Sequence, residues 1–148
     1  VALRYPKDNI PAGALDSSLL ELGKAELLKQ GKDAFIIALG TMVIPSLLAA
    51  EVLEKQGLKI GVINSRFVKP LDRELFKKIS KEVKFIFTAE EGVLEGGFGS
   101  AVCEVIDRPV IRIGLPSDFI PCGKREILLA NYGLDVQGIV NKIKSHIK

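Results

Sequence analysis

Glu90 and Glu91 stand side by side and are followed by a run rich in glycine: Gly92, Gly96, Gly97 and Gly99. Adjacent acids at a strand end could act as a general acid and base pair. Backbone amides in a glycine turn that opens a helix could hold an anion. Neither sharper motif is met. A phosphate loop needs lysine directly after its second glycine, where Phe98 follows Gly97, and a dinucleotide turn begun at Gly97 needs glycine where Val102 stands. Glu91 and Glu95 would repel a phosphate, and no histidine is placed to orient a base. The mechanical reading of Glu90, Glu91, Gly96, Gly97 and Gly99 is therefore the stronger one: a tight turn that lets a helix approach a strand, or an interface loop.

Arg4 and Lys7 flank Pro6 and could meet a phosphate, the first through a planar fork and the second as a point charge. Two cysteines and one histidine, Cys103, Cys122 and His146, cannot supply a four-ligand zinc set. No metal site and no catalytic residue are assigned. No disulfide is expected, and Cys103 reads as a small core residue. His146, near the end of the last helical stretch, reads as a surface cap on helix carbonyls.

The elements that must position these groups follow from periodicity. Short apolar runs at residues 33–39, 59–64, 83–90 and 109–115 read as buried strands. Between them lie helical patterns. Residues 42–57 form one, with Thr41 as its cap and Leu48, Val52 and Leu53 on the inner face. Asp72 caps the next, with Leu75, Phe76 and Ile79 inward, and a third opens at Ser100. The end is helical from Lys124, and Val136, Ile139, Val140 and Ile143 make one stripe. The stretch 19–31 satisfies both a helix and a strand or hairpin. Strand and helix alternate three times, which implies an α/β fold: a mostly parallel sheet with helices on both faces. In such sheets ligands sit beyond the carboxyl ends of the strands.

The 148 residues are one domain's worth, with 47% hydrophobic and 26% charged residues. A net charge of +3, spread without a basic run, argues against nucleic acid. Residues 34–50 carry no charge, but Gly40, Thr41, Pro45 and Ser46 interrupt them, so a strand, a turn and a helix start are expected rather than a membrane span. With Val1 first and no methionine before Met42, a piece of a longer polypeptide is expected.

Five stretches, in order, resemble the 1-deoxy-D-xylulose-5-phosphate synthase family. They are RYPK at 4–7, SRFVKPLD at 65–72, EEGVLEGGFGSAV at 90–102, GLPSDFIPCG at 114–123 and YGLDVQGI at 132–139. The resemblance implies a transketolase C-terminal-like domain over 19–148, with 1–18 closing a preceding pyrimidine-binding domain and linker. It further implies a thiamine-diphosphate- and magnesium-dependent condensation of pyruvate with D-glyceraldehyde 3-phosphate that releases carbon dioxide. Both cofactors would be bound outside this piece. The implied partners are the preceding domains and the second subunit of a homodimer, in the cytoplasm. Lys7 falls where the family's RYPRG has its second arginine, beside the aldehyde's phosphate; lysine keeps the charge and loses the fork. Cys122 and Ser117 stand where many members have histidine and aspartate. Two other readings share this fold: an autonomous ligand-binding or regulatory module using the crevice near Glu90 and Gly123, and the C-terminal domain of a transketolase or 2-oxo-acid dehydrogenase β chain.

Overall fold

Five strands form one sheet in the order β1-β3-β2-β4-β5 in a computed structural model that describes residues 2–3, 5–6 and 19–147. The strands are β1 (Glu26–Lys29), β2 (Ala34–Ala38), β3 (Ile60–Asn64), β4 (Phe85–Val93) and β5 (Val110–Leu115). β2, β3, β4 and β5 are mutually parallel, and β1 runs antiparallel along β3 as an edge strand. The helices are α1 (Val43–Glu54), α2 (Arg73–Glu82), α3 (Phe98–Cys103), α4 (Arg125–Asn131) and α5 (Val136–Lys144).

Alternation along each strand divides the core in two. Ala34, Ile36 and Ala38 of β2 face a layer made with α1 and α5, where Leu53, Ile139, Val140 and Ile143 are buried. Phe35 and Ile37 face the other layer, with Phe76 and Ile79 of α2 and Phe98 and Val102 of α3. Helices therefore cover both faces, as the alternating pattern implies. Among the described residues no helix is long and apolar enough to cross a membrane.

Aspartate caps fix the starts of α2 and α5. Asp72 accepts the Leu75 amide at 3.1 Å and so caps α2, as read from the sequence. Its second oxygen accepts the Ala25 amide at 3.1 Å, tying the segment before β1 to the SRFVKPLD connection. Asp135 caps α5 in the same way through Gly138 at 2.8 Å.

Several expectations are corrected. The ambiguous stretch 19–31 contains the edge strand β1 and no helix, because its residues pair with β3. Thr41 does not cap α1: residues Gly40–Met42 form a 3-10 turn, and α1 starts without a side-chain cap. Leu48 is 45% exposed, and small residues, Ser46, Ala49 and Ala50, take the inner face of α1 beside Leu53. The helix is apolar nearly all round, so periodicity could not choose its face, and close approach to the sheet selected alanine. α3 begins two residues before Ser100, for a reason found at Glu90. Cys103 is exposed on α3 rather than buried, and both cysteines are free.

Candidate functional site

The strand order reverses between β2 and β4, since β3 lies on one side of β2 and β4 on the other. That switch point is where an open α/β sheet offers a crevice, lined here by the ends of β2 and β4. The chain closes it with its own groups. The Leu39 amide donates to the Ala89 carbonyl at 2.9 Å, and the Thr41 hydroxyl donates to the Glu91 carboxylate at 2.7 Å.

Glu90 and Glu91 do not act as a pair. They are neighbours in β4, so their side chains point to opposite faces of the sheet, Glu90 to the α3 side and Glu91 to the α4 side. Glu90 is 4% exposed. Its carboxylate accepts the Phe98 amide at 2.8 Å and the Gly99 amide at 2.7 Å. The anion at the start of α3 is therefore the chain's own, and it nucleates the helix ahead of Ser100.

The glycines are shaped by this carboxylate. A Cβ on Gly97 would lie 2.1 Å from the Val93 carbonyl and 2.5 Å from a Glu90 oxygen, and one on Gly99 would lie 2.7 Å from the Thr88 hydroxyl. Gly96 differs, with φ +70° and open space around it, so its demand is conformational.

Glu91 faces the other side. Arg125 donates through Nε at 3.1 Å and also through Nη2, a two-pronged pairing of half-buried groups. With Leu115, Ile120, Gly123, Leu128 and Leu129 this pair lines a cavity of about 170 Å³. The crevice near Gly123 thus exists, with Glu91 rather than Glu90 at its wall. Arg112, from inside an apolar strand, donates to the Leu94 carbonyl at 2.6 Å and to Ser100 Oγ at 2.9 Å, fixing the loop from outside.

Sequence reasoning missed Thr41, Arg112 and Arg125 as partners of this loop. Two of them carried a signal. Arg112 is a charge within a buried-strand pattern, and Lys124 and Arg125 are cations at a helix start, where the dipole disfavours them. Such local conflicts mark a tertiary partner. His146 is exposed, with Nδ1 2.8 Å from the Lys142 carbonyl, the helix-end position expected of it. Arg4 and Lys7 lie outside the described residues.

These groups do not fit thiamine diphosphate or its magnesium. Among the described residues no cluster of three acids, histidines or cysteines could hold a metal, and the α3 amides are already taken by Glu90.

The match to known proteins agrees with this geometry. Residues 23–139 match the family model described as transketolase, C-terminal domain. The chain belongs to the transketolase C-terminal domain family. Over its full length, this family member is 44% identical to a 1-deoxy-D-xylulose-5-phosphate synthase of Caldanaerobacter subterraneus subsp. tengcongensis. Over 99% of its length it is 38% identical to 1-deoxy-D-xylulose-5-phosphate synthase 1 of Geobacter metallireducens. It spans only 25% of the length of each. Among solved structures, a split gene transketolase described as an inactive beta4 tetramer superposes with TM-score 0.80 at 36% identity, covering 85% of this chain and 43% of that one. The transketolase of Campylobacter jejuni superposes over 83% of this chain and 18% of its own with TM-score 0.61 and 24% identity, a likeness of fold alone.

Proposed function

We propose that this chain is the C-terminal domain of a 1-deoxy-D-xylulose-5-phosphate synthase, a cytoplasmic transferase that joins pyruvate to D-glyceraldehyde 3-phosphate with loss of carbon dioxide and feeds isoprenoid and thiamine synthesis. The observation that carries this reading is the alignment of such synthases with essentially all of the chain at 38% and 44% identity. In this reading the chain is a domain of a longer polypeptide whose other domains hold thiamine diphosphate and magnesium, and a second subunit completes a homodimer. The domain supplies shape and contact rather than chemistry: its conspicuous acids are spent on internal bonds, Glu90 on α3 and Glu91 on Arg125 and Thr41. Arg4 and Lys7, in the segment ahead of the domain, approach the aldehyde's phosphate.

The test is substrate choice by the full-length polypeptide. Carbon dioxide release from pyruvate that depends on D-glyceraldehyde 3-phosphate is the expected result. Two-carbon transfer between ketose and aldose phosphates, without decarboxylation, would instead favour a transketolase, the reading suggested by the 36% identity to the split gene enzyme.

A further inference from the structure

The two ends of the sheet differ in what they show to solvent. Where the parallel strands begin, the exposed side chains are charged: Lys32, Lys59, Glu82, Lys84 and Asp107. Among residues 19–147, the exposed large hydrophobics away from the strand finishes are Leu27 and Leu28 on the edge strand β1, at 37% each, and Leu48 on α1. Where the strands finish, the reverse holds. Val68 follows β3 and is 52% exposed, Val93 closes β4 at 44%, Phe119 follows β5 at 103%, and Ile127 in the first turn of α4 is at 57%. α4 buries none of its residues fully: Leu128 and Leu129 are half-buried, Leu129 against the core, and Ile127 is turned outward. Apolar side chains gathered on one part of a surface mark a contact site.

The topology says what arrives there. β1 is antiparallel, with Glu26 paired to Asn64 at the carboxyl end of β3, so the polypeptide preceding β1 reaches the domain at this same end. It is anchored on arrival. A Cβ on Gly23 would come within 2.9 Å of the Pro70 ring, the Ala25 amide bonds Asp72, and Lys24 pairs with Glu74 at 3.3 Å. Leu20 and Leu22, just ahead of that anchor, are 58% and 71% exposed and extend the apolar end. Relatives of this chain are about four times its length, since it spans 25% of each.

We propose that the carboxyl-end face of the sheet, centred on Phe119, Ile127 and Val93, is the docking surface for the cofactor-carrying part of the longer polypeptide, the part that the 148-residue chain lacks. This deepens the reading given above and rests on it. The opposite, charged end stays in solvent.

Native Cys122 reports on the face, because it is exposed in the connection between β5 and α4 beside Ile120 and Gly123. Alkylation by iodoacetamide, followed peptide by peptide by mass spectrometry, is compared between the 148-residue chain and the full-length polypeptide. A Lys32→Cys variant supplies the control at the charged end. Cys122 is expected to react at least roughly tenfold more slowly in the full-length polypeptide, as a covered site does, with residue 32 labelled equally in both. Equal labelling of Cys122 in both forms would overturn the proposal. So would protection of Cys122 in the 148-residue chain that grows with its concentration, since a second copy would then be the occupant. Labelling needs no turnover, so the outcome separates from that of the substrate test: an inactive polypeptide that still shields Cys122 leaves the docking face standing, and an active one that does not shield it removes the face alone.

Discussion

Glu90 is held by two backbone amides and is almost sealed from water, so its charge has no other counterpart within the loop. Glu90→Gln keeps the shape but turns an amide NH₂ toward an N–H donor, and the loss of charge-assisted bonds is expected to cost about 2 kcal/mol, read as a lower urea midpoint. A preserved midpoint would mean that the carboxylate does not support α3. Gly97→Ala should be worse than Gly96→Ala. The first drives a methyl into the Val93 carbonyl and the Glu90 oxygens, a clash of about 1–3 kcal/mol. The second strains only a left-handed backbone, about 1 kcal/mol. At this scale the sequence was readable in part. The residues that build the loop stood out by type, and their mechanical use could be argued from failed phosphate motifs. Strand alternation alone would have separated Glu90 from Glu91, but the Arg125 that Glu91 meets could not be read, because it lies 34 residues away.

At the scale of elements, strands and helices with one-sided patterns were legible, among them α2 with its Asp72 cap and α5 with its stripe of Ile139, Val140 and Ile143. Elements whose identity comes from neighbours were not. β1 owes its form to β3, and α1 is apolar nearly all round, so only the sheet decides that Ala49 and Ala50 face inward. Asp72→Ala should cost about 1–2 kcal/mol, the higher end because it frees the Ala25 amide as well as the helix cap. Amide exchange should then quicken in β1 as well as in the first turn of α2; quickening in α2 alone would break the link. β1 is also pinned to α1 by Lys29, which bonds Glu54 at 2.8 Å and, with its charge, holds that carboxyl below its usual 4.5. A carboxyl lowered on folding contributes stability above its unfolded value, and this is lost as pH falls through the folded one. NMR titration should therefore place Glu54 below 4.5, and Lys29→Met should return it there.

The whole molecule is a sheet whose switch-point crevice is bridged by Thr41 and Glu91 and whose two adjacent loop acids, Glu90 and Glu91, are engaged internally. Much of its exposed apolar surface, Val68, Val93, Phe119 and Ile127, lies at the end where the preceding chain arrives. Alternation of elements was enough to give the layered α/β architecture, but the order of strands and the closed crevice are properties of packing that no single stretch encodes. In the proposed reading this domain scaffolds chemistry carried out elsewhere. The decisive experiment supplies the 148-residue chain with thiamine diphosphate, magnesium, pyruvate and D-glyceraldehyde 3-phosphate and measures carbon dioxide. The predicted result is no release above the protein-free rate. Sustained, protein-dependent release from this chain alone would contradict it.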